Sequence, residues 1–292
     1  MSRVAYVNGR YLPHADAGVH IEDRGFQFSD GVYEVVAIAD GRPVDLTGHI
    51  VRLARSLREL RIAMPMPERA LRLVMREVVR RNAVSNGILY IQVNRGVHRR
   101  DHPFPPAHVA PSLIMTARPT PGVSARVMEE GTAVVTVPDR RWARRDIKSV
   151  SLLPNVLAKQ AAREAGAWEA WQVDGDGFVT EGSSTNAWIV TPDGTLVTRP
   201  TGDDILAGIT RAALIDLARR EGIPVEERAF TVEEAKRARE AFNSSTTLPT
   251  VPVVRIDDTP VANGAPGSVT VRLHDLYEAH TVGAGAEDWL AA

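Results

Sequence analysis

The segment Arg118-Pro-Thr-Pro-Gly122 divides the sequence into two parts. Two prolines within three residues remove backbone donors and interrupt helices and central strands, and the glycine after them favours a turn. The chain has 292 residues, of which 44% are hydrophobic, so each part is long enough to bury a core of its own. We therefore expect a first domain over residues 1–118, a linker over 119–122 and a second domain over 123–292.

The first part has the turn and periodicity patterns of mixed α and β structure. Asn8-Gly9 is typical of a tight hairpin turn, and Asp40-Gly41 indicates a second turn. Thr47 is the predicted N-cap of a helix that ends near residue 61. Arg52 points away from the apolar stripe of this helix, so periodicity alone predicts a surface arginine. A second helix is expected over 68–82, and strands over 33–38, 88–94 and 111–117.

The second part also alternates strands and helices, so the chain is predicted to have an α/β (α+β) fold. The Gly/Ala-rich tail after residue 281 is expected to be loose. Helices are expected over 155–166, 205–221 and 268–281, and strands over 132–137, around Lys148, and over 168–173, 178–180, 187–191, 196–198 and 251–256.

Lysine occurs only at Lys148, Lys159 and Lys236, although Lys and Arg together number 35. In the extended stretch Asp146-Ile-Lys-Ser-Val-Ser-Leu152, alternation places Lys148 on one face with Val150 and Leu152. Such a lysine is a candidate for partial burial. Lys159 lies in a predicted helix and Lys236 in a charged run, and both are expected to be solvated.

Two interpretations of Lys148 remain open from the residues alone. Burial lowers the pKa of a lysine ammonium, and the neutral amine can attack a carbonyl carbon, whereas arginine stays protonated and forms no imine. Alternatively, Lys148 is an edge-strand lysine that opposes aggregation or pairs with Asp146.

Composition excludes several classes of function. The formal net charge is -1 and no basic block stands out, so neither nucleic acid nor an anionic membrane is an expected partner. No apolar run approaches the roughly 20 residues of a membrane span, and the cytoplasm is the expected location. The absence of cysteine excludes disulfides, zinc-cysteine sites and thiol nucleophiles. Glycine-rich dinucleotide and Walker motifs are also missing.

Three polar segments are candidate binding sites. Glu181-Gly-Ser-Ser-Thr-Asn186 is either a polar turn or a group that orients a polar ligand. The predicted helix that begins after Gly208 offers free backbone N–H groups to a phosphate, and hydroxyls in Asn243-Ser-Ser-Thr-Thr247 could add donors. The basic loop over 95–106 either closes on an anion or is merely solvated; Pro103 argues against a helical His98/His102 metal site, so no metal is expected.

Together these features match what a pyridoxal phosphate enzyme needs: a lysine, a carboxylate for the ring nitrogen and a phosphate site. Over residues 3–280 the sequence resembles the fold-type IV pyridoxal phosphate transaminases, and within them the D-amino acid group. This family combines a small N-terminal α+β domain with a larger C-terminal pseudo-barrel domain. The motifs that carry the resemblance are Glu22-Asp-Arg-Gly-Phe-Gln-Phe-Ser-Asp-Gly-Val-Tyr-Glu34, Asp146-Ile-Lys148, Val156-Leu-Ala-Lys-Gln160, Thr180-Glu-Gly-Ser-Ser183 with Asn186, Gly208-Ile-Thr-Arg211 and Ser245-Thr-Thr247.

The resemblance implies a role for each matching residue. Lys148 would form the Schiff base with pyridoxal 5'-phosphate and carry the proton between the substrate Cα and the cofactor. Glu181 would pair with the pyridinium nitrogen, and Leu206 would pack against the ring. The phosphate would be bound by Ile209, Thr210, Thr246 and Arg52, which family likeness makes a ligand although periodicity makes it a surface residue.

The resemblance also implies a substrate and an assembly. Arg100 and His102 from the neighbouring subunit, with Tyr33, would bind the substrate α-carboxylate, which makes the homodimer the smallest active unit. Arg99 precedes Arg100, so this assignment could shift by one residue. The expected reaction is ping-pong transamination between a D-amino acid of the D-alanine type and a 2-oxo acid such as 2-oxoglutarate or pyruvate. Alternatives are a branched-chain L-amino acid transaminase, an (R)-amine transaminase, aminodeoxychorismate lyase or a non-catalytic protein that binds the cofactor.

Overall fold

The computed structural model describes residues 3–290, which group into two compact units. The first unit contains the chain up to Pro121, the segment Ile147–Ser151 and the residues from Thr281 onward. The second contains Gly122–Asp146 and Leu152–His280. Both units combine helices and strands, so the predicted α/β class is confirmed. Across residues 3–290, no helix has the length and apolar character that a membrane span requires.

The first unit is built on a six-stranded antiparallel sheet with the order β2-β1-β6-β5-β3-β4. Its elements, in chain order, are β1 (Val4–Val7), β2 (Arg10–Pro13), α1 (Arg24–Phe28), β3 (Gly31–Ala39), β4 (Arg42–Pro43), α2 (Leu46–Glu59), α3 (Glu68–Arg81), β5 (Gly87–Asn94) and β6 (Ser112–Pro119).

The hairpin predicted at Asn8-Gly9 and the turn predicted at Asp40-Gly41 are confirmed, and the second is also a hairpin. Asn8 and Gly9 join β1 to β2 with φ values of 46° and 89°, and Asp40 and Gly41 join β3 to β4 with 49° and 74°. Consecutive positive φ values match the right-handed twist of the paired strands. The hydrophobic core of the unit contains buried residues of the sheet, α2 and α3, and includes Ile147 from the returning segment.

The expectation of a loose tail was wrong, and so was the predicted N-cap of α2. The helix begins at Leu46 after Asp45, and Thr47 lies inside it. Glu287 from the tail accepts hydrogen bonds from Thr47 N at 3.1 Å and from Thr47 Oγ1 at 2.6 Å. Trp289 is buried in the core of the unit and donates to the carbonyl oxygen of Gly41. The tail therefore supplies the carboxylate that the first turn of α2 needs.

The second unit contains a mixed nine-stranded sheet with the order β12-β11-β10-β13-β14-β7-β8-β9, in which β15 pairs with β14. Its elements are α4 (Ala125–Glu130), β7 (Thr132–Pro138), α5 (Leu153–Glu164), β8 (Glu169–Val173), β9 (Val179–Gly182), β10 (Asn186–Val190), β11 (Leu196–Thr198), α6 (Ile209–Arg220), β12 (Val225–Glu227), α7 (Val232–Lys236), β13 (Glu240–Ser244), β14 (Val251–Ile256), β15 (Thr259–Pro260) and α8 (Ser268–Val282).

The segment around Lys148 is not the extended strand that the sequence predicts. A single bridge between Ser149 and Val32 joins it to β3, supported by a hydrogen bond from Val150 N to Gly31 O. Burial does alternate, but Ile147 and Ser149 are buried while Lys148 is half-buried. The helix α5 begins soon after the bridge, at Leu153, with Leu152 as its N-cap.

A buried glutamate of the second unit stabilises the start of α8. Glu240 lies in β13 and is 3% exposed. Its carboxylate accepts hydrogen bonds from Val269 N at 3.0 Å, from Thr270 N at 2.8 Å and from Thr270 Oγ1 at 2.9 Å. These N–H groups have no partners within the helix, and a negative charge favours the positive end of the helix dipole.

We expect Glu240→Gln to lower the free energy of unfolding by about 1–3 kcal/mol. The amide carries no charge, and its NH2 group would face the backbone N–H groups of Val269 and Thr270 instead of accepting from them. Urea denaturation monitored by circular dichroism measures this change. The matched control is Glu233→Gln at an exposed position of α7, which should shift the midpoint little. An equal effect of the two variants would contradict the capping role.

Candidate active site

The side chains singled out by the sequence fall into two groups, one in each unit. The first unit contains Lys148, Tyr33, Arg52, Arg100 and His102, and the second contains Glu181, Leu206, Ile209, Thr210 and Thr246.

Lys148 lies against an aromatic ring. Its Nζ is 4.3 Å from the centroid of the Tyr33 ring, and its carbonyl oxygen accepts a 3.0 Å hydrogen bond from Tyr33 N. The N–H group of Lys148 points to Ser56 Oγ, 3.4 Å away. Among the described residues of its unit, no carboxylate forms an ion pair with Lys148. The amine is therefore placed by its backbone rather than by a carboxylate.

The other two lysines are not simply solvated, so that prediction was wrong. Lys159 Nζ donates to the carbonyl oxygen of Trp168 at 2.7 Å and lies 3.4 Å from the buried carboxylate of Glu169. Lys236 Nζ lies 3.1 Å from Asp257. Both amines neutralise carboxylates of their own unit, which is a structural task.

Arg52 is buried, at 7% exposure, so the prediction of a surface arginine was wrong. Its Nε and Nη2 donate to the two carboxylate oxygens of Glu34, each at 2.8 Å. His49, one turn earlier in α2, contacts Glu34 Oε2 through Nδ1 at 2.7 Å. Periodicity missed this because Glu34 belongs to β3, and the sequence of α2 alone cannot reveal a partner in the sheet.

The Glu34 carboxylate stays charged although it is buried. Burial raises the pKa of Glu34, but the charge and hydrogen bonds of Arg52, followed by those of His49, outweigh burial and lower the pKa from 4.5 to about 2. A second aromatic residue, Tyr90, stacks on Tyr33 with ring centroids 5.8 Å apart. Burial, aided by Tyr33, raises the pKa of Tyr90 to about 12, so its hydroxyl remains a neutral donor to Gln92.

Arg100 and His102 lie in the loop that follows β5, and both are exposed. The guanidinium carbon of Arg100 is 5.0 Å from the centroid of the Phe28 ring. The His102 ring centroid is 5.5 Å from that of the same phenylalanine. The structure therefore brings these two predicted carboxylate ligands to one aromatic platform, whereas the sequence only places them two residues apart.

In the second unit, three donors fix the orientation of the Glu181 carboxylate. Arg141 Nη1 donates to Oε1, Asn186 Nδ2 donates to Oε2 at 3.0 Å, and Leu206 N lies 3.2 Å from both oxygens. Glu181 is 5% exposed, so these donors replace the water that its carboxylate loses on burial. Leu206, predicted as a ring contact, thus also binds Glu181 through its backbone.

Arg141 is a site residue that the sequence did not single out. Besides Glu181 it binds Asp139, with Nη2 2.7 Å from Oδ2, and Nη2 lies 3.2 Å from Thr180 Oγ1. Burial lowers the pKa of Arg141, but Glu181 and Asp139 outweigh it and raise the pKa above its ordinary value. Burial raises the pKa of Asp139, and hydrogen bonds and charge from Arg141 lower it below its ordinary value. One of many arginines in the chain carries no signal by which sequence could distinguish it.

The start of α6 is an open helix N-terminus. Gly208 is its N-cap and has no side chain that could accept a hydrogen bond from the first-turn N–H groups. Ile209 and Thr210 form the first turn. A Cβ atom at Gly208 would lie 2.1 Å from Asn186 Oδ1, so this close approach requires glycine. Thr210 is buried, and Thr246 is half-buried in the turn after β13. The first-turn N–H groups form a site suited to an anion.

We expect Glu34→Gln to change the acid dependence of stability. The folded-state pKa of about 2 lies below the unfolded value of 4.5, so Glu34 contributes stability that is full above pH 4.5 and is lost as pH falls towards 2. The shift corresponds to roughly 3 kcal/mol at neutral pH.

Urea denaturation at several pH values measures this change. The difference in unfolding free energy between wild type and Glu34→Gln should be largest near pH 7 and shrink below pH 4.5. The exposed Glu129→Gln serves as the control, and its difference should stay close to zero throughout. A Glu34→Gln difference that does not vary with pH would contradict the charged state of this carboxylate.

The chain is similar to known proteins over most of its length. The model of the amino-transferase class IV family matches residues 31–256. A D-alanine aminotransferase of Listeria innocua serovar 6a is 39% identical over 282 residues, which cover 96% of this chain and 97% of that protein. A D-alanine aminotransferase of Staphylococcus haemolyticus is 40% identical over 272 residues, which cover 93% and 95%.

Solved structures of aminotransferases have a similar fold. A branched-chain amino acid aminotransferase from Escherichia coli matches with a TM-score of 0.88 at 26% identity, covering 99% of this chain and 97% of that chain. The branched-chain aminotransferase from Thermoproteus uzoniensis matches with a TM-score of 0.85, also at 26% identity and with the same coverage. With the family match extending over most of the chain, the protein belongs to the amino-transferase class IV family.

Proposed function

We propose that this aminotransferase is a D-amino acid transaminase of the D-alanine type, which uses pyridoxal 5'-phosphate to move an amino group from a D-amino acid to a 2-oxo acid. The observation that carries the proposal is the placement of Lys148, which is half-buried with its Nζ 4.3 Å from the centroid of the Tyr33 ring. The relatives named D-alanine aminotransferases, at 39% and 40% identity, support the choice of substrate.

Each unit offers groups of the kind that pyridoxal phosphate needs. Lys148 offers an amine for the aldehyde, and Glu181 offers a fixed carboxylate for the ring nitrogen. The first turn of α6, with Thr210 and the hydroxyl of Thr246, offers donors for the phosphate. Arg52 offers a guanidinium group, which its two hydrogen bonds to Glu34 hold in place.

When bound, pyridoxal phosphate supplies a conjugated ring that accepts the electron pair left at the substrate Cα. Lys148 would act as general base and then as general acid, moving the proton from the substrate Cα to C4′ of the cofactor. Glu181 would hold the ring nitrogen in its protonated form, and Arg141, which donates to the Glu181 carboxylate, would stabilise the negative charge that this task requires.

Substrate choice is assigned to the loop after β5. Arg100 and His102 of the neighbouring subunit, together with Tyr33, bind the substrate α-carboxylate, which makes a homodimer the smallest active unit. The side on which the carboxylate binds decides which enantiomer presents its Cα–H to Lys148. The alternative is an L-amino acid transaminase of the branched-chain type, favoured by the fold-level likeness to such enzymes. The proposal keeps the cytoplasmic location expected from the sequence.

The proposed substrate class is tested by a half-reaction without any 2-oxo acid. Purified protein saturated with pyridoxal phosphate is mixed with D-alanine or with L-alanine, and the visible absorption band of the bound cofactor is followed. We expect D-alanine alone to abolish the band and to release one equivalent of pyruvate per site. Loss of the band with L-alanine or L-leucine instead would establish the alternative, and protein that never acquires the band would contradict cofactor binding.

The shared site is tested by complementation between two inactive variants. Lys148→Ala removes the amine and Arg100→Ala removes the carboxylate ligand, so each homodimer should transaminate D-alanine poorly. A mixed dimer has one site with both defects and one intact site if the loop acts on the neighbouring subunit, so activity should return after the subunits are unfolded and refolded together. Lys236→Ala, which breaks the pairs with Glu233 and Asp257 in the second unit, is the control for losing a lysine.

Mixed dimers without recovered activity would place Arg100 and Lys148 of one subunit in the same site. Full activity of the Lys148→Ala homodimer would refute the assignment of the reactive amine.

A further inference from the structure

A cluster of three charged residues lies outside the site described above. We call Arg24, Asp30 and Arg95 the positioning cluster. Arg24 Nε lies 2.8 Å from Asp30 Oδ2, and Arg95 contacts both oxygens of Asp30, through Nε at 2.7 Å and Nη2 at 2.9 Å. The two arginines are 3% and 7% exposed. Asp30 is thus the shared counter-ion of two buried cations.

Arg24 connects the cluster to the loop that carries Arg100 and His102. Its Nη1 donates to the carbonyl oxygen of Asp101 at 2.6 Å, and its Nη2 donates to that of His102 at 3.3 Å. A guanidinium presents its donors in a rigid plane, so one side chain fixes two neighbouring carbonyl groups relative to Asp30. The backbone on the C-terminal side of Arg100 is therefore held by Arg24.

Phe28, at the end of α1, supports the side chains of the same loop. Its ring centroid is 4.8 Å from the guanidinium carbon of Arg24 and 5.0 Å from that of Arg100. The His102 ring packs on the same phenylalanine. Arginine and aromatic faces attract each other, so the platform orients Arg100 as well as supporting it.

Arg95 fixes the two ends of the loop. Its N–H group donates to the carbonyl oxygen of Asp30 at 3.0 Å, and its side chain donates to the carbonyl oxygens of Leu60 and Arg61 at 2.8 and 3.1 Å. Its guanidinium carbon lies 3.7 Å from the centroid of the Phe104 ring. The loop is thus attached where it leaves β5 and again at residue 104.

The charge of Asp30 is needed for this arrangement. Burial raises the pKa of Asp30, but hydrogen bonds from Arg95 and Arg24 outweigh burial and lower the pKa below its ordinary value. The backbone next to Asp30 is also tightly packed, because a Cβ atom at Gly31 would lie 2.4 Å from Asn94 Oδ1 and 2.9 Å from the carbonyl oxygen of Val93.

We propose that Arg24, Asp30 and Arg95 are positioning residues for substrate recognition, which hold Arg100 and His102 in the geometry that binds the substrate carboxylate. This inference rests on the proposed function, since it takes Arg100 and His102 as the carboxylate ligands. The cluster contacts no reacting atom. It acts on the binding of the carboxylate and leaves proton transfer at Lys148 unchanged, so its loss raises KM and spares kcat.

Two variants disturb the cluster in different ways. Asp30→Asn removes the shared counter-ion at nearly constant volume. Arg24→Lys keeps the charge, but one ammonium cannot reach Asp30 and both loop carbonyl groups together. Asp30→Glu retains the carboxylate, so its KM should be closer to that of wild type. The matched control is Glu77→Gln on α3, a carboxylate that also accepts hydrogen bonds from two arginines, Arg80 and Arg81, but contacts no residue of the loop.

The experiment compares these variants with wild type and Arg100→Ala as holoenzymes. Steady-state kinetics with D-alanine gives KM and kcat, and limited trypsin digestion gives the rate of cleavage after Arg99 and Arg100. For Asp30→Asn and Arg24→Lys we expect KM to rise on the order of 10–100-fold with kcat nearly unchanged, and cleavage in the loop to accelerate. Asp30→Glu should recover part of the KM, and Glu77→Gln should match wild type in both measurements.

The outcomes separate this inference from the proposed function. Wild type that does not transaminate D-alanine would overturn the proposed function, and with it the reason for the cluster. A raised KM in Arg100→Ala, with KM values of Asp30→Asn and Arg24→Lys close to wild type, would overturn the positioning role alone. A fall in kcat at constant KM would also overturn it, because that result belongs to a residue needed only for folding or chemistry.

Discussion

A buried carboxylate must be paired, because an ionised group without a partner in a low-dielectric interior costs several kcal/mol. The functional surroundings in both units depend on this constraint. Glu34 is paired with Arg52 and His49, Asp30 with Arg24 and Arg95, and Glu181 with Arg141 and Asn186. The pKa values of Glu34 and Asp30 are lowered by these partners, and in all three cases the arginine is held in one orientation at the same time.

Arginine suits these pairs better than lysine does. A guanidinium is planar, stays protonated and binds both oxygens of a carboxylate, so the pair fixes an angle as well as a distance. Arg52 and Arg95 each bind a carboxylate in this bidentate way. Lysine, which can lose its proton, is reserved for very few positions, and Lys148 lies where no carboxylate of the described part of its unit neutralises it. Residue type alone does not distinguish Lys148, because Lys159 and Lys236 neutralise carboxylates; the surroundings of Lys148 distinguish it.

Local sequence patterns predicted the elements whose causes are local. The Asn8-Gly9 and Asp40-Gly41 turns, the helix α3 and the strands β11 and β14 were placed correctly because turn chemistry and periodicity act within a few residues. The errors arose from partners that are distant in sequence. Thr47 donates a hydrogen bond to Glu287 from the tail, and the buried Arg52 donates to Glu34 from the sheet. The return of Ile147 to the core of the first unit has no local signal either.

The same contrast between local patterns and distant partners applies to the residues of the candidate site. Residue type, motif order and family resemblance were enough to single out Lys148, Glu181 and the start of α6. They could not single out Arg141, because one arginine in an arginine-rich chain is distinguished only by the carboxylates it contacts. The same argument applies to Asp30, which belongs to one of the motifs that carry the family resemblance. Its physical role is shown only by its contacts with Arg24 and Arg95. Motifs report which residues a family keeps together, whereas hydrogen-bond geometry reports what each residue does, and a positioning role requires the second kind of information.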